Sequence, residues 1–356
     1  MINNLIIKIV DDIDNPTLKK GWQDLQESEN VFPQMYYQWI APWWQSNNSG
    51  KKLYIITAED AEQRLVGIAP FCIEKQFGIK VLQSIPTHFG DFYSFIVKDN
   101  NDSIFQALIS HANSFKKWSY IKVNLVRNNN TLYERLNSEN YKEQQIAKII
   151  EAEISNITYD DYLMALHRKV RGEYRRRLRK LEELGVVEFS ISSNFDDYLT
   201  FESDFRRIYE LRWQDIDNKL PEDKIYQYRK EALQYLSNKD KAVFVLLKLD
   251  NELIAYRFGI IHENKYHDYK ISFNPKYYKL GLGSIITGLL IKNLIDKNIS
   301  VLDHGVGDYS YKNDWSPVGE KINVYNFHSY KNNPLAIFYF KFENKYKDML
   351  KKLLKR

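Results

Sequence analysis

Apolar and polar positions along the chain follow two rhythms, and the order of those rhythms occurs twice. Short apolar runs of strand length at Leu5–Val10, Lys52–Ala58, Leu65–Ile73 and Ile79–Ile85 predict strands. Helical spacing up to Gln26, over Met35–Ser46 and over Ser103–Phe115 predicts helices, and Tyr120–Leu125 predicts a strand after them. The later half opens with a strand at Val186–Ile191 and helices over Phe195–Trp213 and Glu222–Ser237. A meander follows, Ala242–Leu249, Leu253–His262 and Lys265–Phe273, joined by the polar turns Asp250-Asn251-Glu252 and Glu263-Asn264. A helix from Gly281 to Lys297, a strand at Ser300–His304 and a final strand at Asn323–Tyr330 complete it. Helix, helix, meander, helix, strand in both halves predicts a structural duplication.

Between the halves, residues 158–185 predict a helical region capped by Thr158 with Asp161 and closed by Gly185. Leu163, Leu166, Val170, Tyr174, Leu178 and Leu181 form its buried stripe, and Gly172 marks the expected break between two helices. Residues 168–180 hold eight basic residues against one acid, Glu173, so the formal charge of +5 for the chain resides in this one segment. Bulk charge therefore argues little for nucleic acid, and a solvated linker helix is the plainer reading. A grip on the phosphates of CoA, of a nucleotide sugar or of tRNA is its competitor.

The 356 residues exceed what one core usually supports, which predicts two domains. The expected division is residues 1–150, a basic linker helix over 151–185, a second domain over 186–335 and a basic amphipathic helix over 336–356. That last helix spaces Phe338, Phe342, Tyr346, Met349, Leu350, Leu353 and Leu354 among lysines. Packing against the second domain is its first expectation, and peripheral contact with an anionic membrane surface is the other. One cysteine, Cys72, leaves no internal disulfide to form. The chain shows neither a basic, apolar leader nor an apolar run of membrane-spanning length, so a soluble, cytoplasmic protein is expected. Seven scattered histidines without an H-E-x-x-H pattern predict no metal, and no G-x-S-x-G elbow is present.

The most informative local feature is the turn Tyr278-Lys279-Leu280-Gly281-Leu282-Gly283-Ser284, where a strand ends and a helix begins. Free amides at a helix start bind anions, and glycine lets a phosphate approach the backbone. A dinucleotide fingerprint is excluded because Ile286 stands where its third glycine belongs, and the Walker pattern is absent. After the helix come Asp303-His304-Gly305-Val306-Gly307-Asp308 and then Tyr311-Lys312 with Trp315.

These residues resemble GNAT N-acyltransferases, whose pyrophosphate loop reads Q/R-x-x-G-x-G/A; Tyr278 departs from its first position. Together with Pro33, Tyr37, Trp39, Pro42-Trp43-Trp44 and Gly90-Asp91-Phe92-Tyr93, they resemble the CelD/BcsL-type acetyltransferases of cellulose and exopolysaccharide synthesis. Those are tandem-GNAT proteins related to the Fem-type aminoacyltransferases. The resemblance implies an α/β fold of two tandem GNAT-like domains, each a mixed, mostly antiparallel sheet flanked by helices. It implies transfer of an acyl group, acetyl in the first instance, from acyl-CoA to an amine on an amino sugar or sugar nucleotide.

Lys279, Gly281, Leu282, Gly283 and Ser284 would hold the pyrophosphate. Asp303 or Asp308 would act as base, and Tyr311 and Lys312 would stabilise the transferring group, with Tyr309 or Tyr311 protonating the thiolate. Asp268 is a lesser base candidate, expected as a charge at a sheet edge. His88 and Asp91 sit in an aromatic loop whose plainer reading is an ordinary loop; in a tandem architecture it would face the groove between the domains and line the acceptor pocket. A Fem-type aminoacyl-tRNA-dependent transferase and a non-catalytic GNAT-like scaffold are the alternatives.

Overall fold

The computed structural model describes residues 5–76, 78–87, 91–114, 117–139, 141–213, 223–330 and 334–342. The chain forms two compact units, Met1–Ile146 together with Val324–Arg356, and Ala147–Asn323. The division thus falls slightly earlier than expected, after Ile146 rather than after residue 150, and it returns the end of the chain to the first unit.

The first unit contains β1 (Ile6–Val10), α1 (Pro16–Ser28), α2 (Tyr37–Asn47), β2 (Lys51–Glu59), β3 (Leu65–Gln76), β4 (Ile79–Ser84), the short β5 (Ile96–Val97), α3 (Asp102–Ala112), β6 (Tyr120–Arg127) and α4 (Thr131–Ser138). The next strand, β7 (Lys142–Glu153), carries the chain into the second unit. There follow α5 (Tyr159–Ala165), α6 (Arg168–Glu182), β8 (Val187–Ser192), α7 (Phe195–Trp213), α8 (Asp223–Ser237), β9 (Ala242–Leu249), β10 (Glu252–His262), β11 (Lys265–Phe273), α9 (Leu282–Asp296), β12 (Val301–Val306), α10 (Ser310–Asp314) and β13 (Gly319–Tyr330).

Both units build the same sheet. In the first, β1-β2-β3-β4 are antiparallel neighbours, β4 pairs β6 in parallel, and β13 closes the order antiparallel to β6. In the second, β8-β9-β10-β11 are antiparallel, β11 pairs β12 in parallel, and β7 closes the order antiparallel to β12. A parallel pair needs a crossover, and α3 and α9 supply it in the two units. The hairpin turns expected at Asp250-Asn251 and Glu263-Asn264 have positive φ at both central residues, the twist that tight two-residue hairpins require.

Three sequence expectations are corrected. β7 and α4 had no predicted counterpart, because Lys142, Glu143, Lys148, Glu151 and Glu153 break the apolar rhythm of β7. The helical region breaks at Leu166–His167 rather than Gly172, since Leu166 is extended and the His167 side chain caps α6. Gly185 is not a left-handed cap; a Cβ there would meet the Asp250 carboxylate at 2.2 Å, so close packing explains it. The stripe from Leu163 to Leu181 does pack into the second unit's core, against Leu282, Ile286 and Leu290 of α9, which makes α6 part of that unit. Thr158 caps α5 by accepting from the Asp161 amide at 3.2 Å.

At the chain's end, residues 334–342 are helical. Ala336 and Tyr339 pack with Tyr120, while Phe338 is 67% exposed. Residues 343–356 of the expected C-terminal helix, among them Tyr346, Met349, Leu350, Leu353 and Leu354, lie outside the described residues, as do His88 and Gly90. Among the described residues no helix is long and apolar enough to cross a membrane.

Candidate functional site

The geometry of the second unit's parallel pair opens the site. β11 and β12 are paired from Lys265↔Val301 to His267↔Asp303, and β11 then continues to Phe273. Beyond the paired stretch, Ile271 and Phe273 line a cleft of about 800 Å³. Asn274 turns the chain by accepting from the Lys276 amide at 3.0 Å, and a 3₁₀ turn over Pro275–Leu280 leads to Gly281.

Gly281 is left-handed, φ +63° and ψ +49°, and starts α9 with no side-chain cap. The left-handed conformation calls for glycine here, and the missing Cβ leaves room for Arg177, whose Nη1 would stand 2.7 Å from one. Amides in the first turn of a helix have no carbonyl one turn back to bond. The Ser284 amide nonetheless donates to Gly281 O at 2.9 Å, so Leu282 and Gly283 are left to present theirs. No acidic residue stands in the first turn of α9.

Lys279, Gly281, Leu282, Gly283 and Ser284 all line the cleft, as does Tyr311. The opposite wall comes from α6, which contributes Lys169, Glu173 and Arg177. Arg177 is held over the glycine turn by Glu173 at 2.6 Å. Arg212 of α7 adds a further cation, its Nη1 donating to Ile271 O at 2.8 Å and its guanidinium lying 4.0 Å from the Phe273 ring centre. Four cations and the helix start therefore face the same space, an arrangement that attracts phosphate.

Asp303, Asp308 and Lys312 do not line the cleft. Asp303 is wholly buried, one oxygen 2.9 Å from His267 Nδ1 and the other accepting from the Gly305 amide at 2.6 Å. Lys312, also buried, donates to Gly305 O at 2.9 Å and Val306 O at 2.8 Å, and so clamps the loop after β12. Burial lowers its ammonium pKa to about 8, opposed by Asp268 and Asp303. Asp308 is exposed and accepts from Asn313 at 3.2 Å. Tyr311, 38% exposed, stacks with Tyr309, and desolvation raises its phenol pKa, aided by Asp268.

Asp268 is not at a sheet edge. β11 is an interior strand, and the carboxylate is buried with its Oδ1 3.7 Å from Nε of Arg257. Burial raises the Asp268 pKa, against the pull of Arg257. Arg257, itself 0% exposed, donates to Thr287 Oγ1 at 2.8 Å, and that hydroxyl donates to Gly283 O at 2.7 Å. A buried guanidinium thus secures the first turn of α9 from below. Asp91, expected in an open loop, is fully buried and accepts from Gln34.

The carboxylates that do line the cleft are Glu173 and Asp314. Sequence reading passed over Asp314 because it lies among ordinary turn residues; its spacing of three from Tyr311 is the only signal for it. Arg177 was legible as one of many basic residues, and Arg212 carried no signal at all. Among the described residues no group of His, Cys, Asp and Glu is placed to hold a metal ion.

Residues 168–313 match the family model described as acetyltransferase (GNAT) domain. That stretch runs from the first residue of α6 into α10 and contains the whole cleft wall apart from His167, Asp314 and Trp315. Among solved structures, the chain is similar to FemX at 12% identity and a TM-score of 0.62, covering 90% of this chain and 98% of that one. It is also similar to L-PGS from Bacillus licheniformis, with 13% identity, a TM-score of 0.58, and 93% and 96% of the two chains covered. A tandem GNAT protein from the clavulanic acid biosynthesis pathway shares 9% identity with a TM-score of 0.53, over 92% and 98%. At such identities these likenesses establish the tandem GNAT fold alone. A search of curated proteins gives no match.

Proposed function

We propose that the cleft binds an acyl-CoA through its pyrophosphate, and that the protein is a CelD/BcsL-type N-acyltransferase. In this reading it moves an acetyl group to an amine on a sugar or sugar nucleotide of a surface polysaccharide. The observation that carries the reading is the uncapped start of α9, with the Leu282 and Gly283 amides beside Arg177 and Lys279. The residues fit the group: a left-handed glycine under a guanidinium makes a bare, positive cradle. A bound thioester supplies an activated acyl carbon.

The chain's own residues would do the rest. Asp314, in the cleft wall, would accept the proton released as the amine nitrogen bonds to the acyl carbon and the carbon–sulfur bond breaks. Tyr311 would return a proton from its phenol to the departing thiolate. Asp303 and Lys312 would shape the loop that places Tyr311, and Asp308 is the second carboxylate to test. The FemX-like fold together with the basic face of α6 favours one other reading, an aminoacyl-tRNA donor.

Calorimetric titration with acetyl-CoA tests the proposal. Micromolar binding that Gly281→Glu abolishes supports it, and absence of binding by the unaltered protein sinks it in favour of the tRNA-dependent reading. With an amino-sugar acceptor in hand, Asp314→Asn should lower kcat by roughly 10²-fold or more. An unchanged kcat would remove Asp314 from the reaction.

A further inference from the structure

The helix over residues 334–342 has two unlike faces. Ala336 and Tyr339 are buried against Ile79, Val81 and Tyr120, with Tyr330 and Phe340 packed beside them. The Tyr339 ring meets Tyr120 edge-on at 5.3 Å and its hydroxyl donates to Gln76, which together fix the helix on the first unit. Leu335, Phe338 and Phe342 lie three and four residues apart, so they share one row along the helix. All three are exposed, and Phe338 and Phe342 stack at 6.1 Å with their planes 19° apart. A row of large apolar side chains in water forgoes the burial that such groups otherwise gain.

The surrounding charge decides what this row is suited to meet. Lys341 is exposed on the same helix, and Lys142 holds its Nζ 5.2 Å from the centre of the Tyr330 ring, which packs on Phe340 at 5.6 Å. In sequence, residues 336–356 carry seven basic residues against two acids, Glu343 and Asp348. The apolar spacing of Leu335, Phe338 and Phe342 continues in that sequence at Tyr346, Met349 and Leu353. A protein partner suits such a surface poorly. Interface cores are depleted in lysine, and a two-fold contact with a second copy would bring two like-charged segments together. A bilayer surface is complementary: its acyl boundary takes aromatic rings, and its anionic headgroups take ammonium groups.

We propose that this face docks the protein on an anionic membrane surface. Phe338 and Phe342 enter the boundary between headgroups and acyl chains, and Lys341 with its basic neighbours in sequence meets the lipid phosphates. Docking of this kind is peripheral and reversible, and salt weakens it by screening the charges. It is independent of the acyl-CoA reading, since none of these residues lines the cleft.

Co-sedimentation of the full chain with lipid vesicles tests the proposal. Vesicles of equal parts phosphatidylglycerol and phosphatidylcholine should hold the protein about tenfold more tightly than phosphatidylcholine alone. The double variant Phe338→Ser/Phe342→Ser should bind the anionic vesicles about tenfold more weakly, or worse. Both positions are exposed, so the fold tolerates the change. Phe338→Cys supplies a second reading, because the chain's one cysteine, Cys72, is buried and a thiol-reactive, environment-sensitive dye then attaches at 338. Its emission should rise and shift to the blue when anionic vesicles are added. Failure of the unaltered chain to bind anionic vesicles overturns the proposal. So does undiminished binding by the double variant, because the basic residues of α6 then act through charge alone. A dye at 338 that keeps its aqueous emission on vesicle-bound protein overturns it as well. So does a dimer of the unaltered chain, seen by light scattering without lipid, that the double variant abolishes, because the row then seats a second copy.

Discussion

The two crossovers, β4 to α3 in the first unit and β11 to α9 in the second, start from the same geometry and end in opposite places. Each parallel pair is registered over three positions, Val81↔Tyr120 to Gln83↔Lys122 and Lys265↔Val301 to His267↔Asp303. Past those positions the first unit is plugged. Tyr93, 1% exposed, donates its amide to Leu125 O of β6 at 3.2 Å and packs its ring on Phe71, and Phe92 and Phe95 are buried beside it. The helix that follows is sealed as well: Asn101 Oδ1 accepts from the amides of Ser103 at 2.9 Å and Ile104 at 3.4 Å, and Asp102 stands in the first turn. In the second unit the same space is a cleft, and α9 starts from a left-handed glycine with neither cap nor acid. One topology therefore yields a closed structural end and an open anion site, and the difference lies in a few residues at the helix start.

Four experiments press on that contrast, in falling order of effect. Gly281→Glu places a carboxylate against the free amides and a Cβ against Arg177, and should weaken acetyl-CoA binding by about 100-fold or more, read by calorimetry. Retained binding would mean that the open end of α9 is not the site. Thr287→Val removes the partner of a fully buried guanidinium and should cost about 2 kcal/mol of unfolding free energy, measured in urea, with several-fold weaker CoA binding. A loss of stability alone would make Arg257 a purely structural strut.

The third experiment uses pH. Burial holds His304 neutral, its pKa pushed down to about 3 from an ordinary 6.5. Within that window the unfolded chain binds more protons than the folded one, so stability falls as pH drops from 6.5 toward 3. His304→Gln should flatten the change in urea midpoint between pH 7 and pH 4, and an unaltered slope would place the acid sensitivity elsewhere. The smallest effect is expected from Asn101→Ala, which uncaps α3 for about 1 kcal/mol and leaves CoA binding as it was. A change in CoA affinity there would break the distinction between the two crossovers.

Much of this was legible in the chain. Hairpin turns, the meander strands, the stripe on α5 and α6 and the glycine turn all rest on local rules: period, turn chemistry and capping. The five residues expected at the pyrophosphate do line one cleft, because they are consecutive or nearly so and a helix start places its neighbours together. Asp303 and Lys312 were harder. A carboxylate and a lysine beside glycines look exposed in sequence, yet strand pairing and the loop after β12 buried both. β7 stayed hidden because its charged positions obey the pairing with β12 rather than any period of its own.

What the sequence determined by itself was the duplicated order of elements and the glycine-led start of α9, since both follow from backbone preferences that act over a few residues. The tertiary structure decided which end of which crossover stays open, which carboxylate reaches the cleft, and that α6 belongs beside the glycine turn. Those outcomes depend on side chains far apart in the chain, such as Arg177 over Gly281 and Arg257 under Thr287. Local periodicity does not encode their meeting; burial of the shared core between α6 and α9 does.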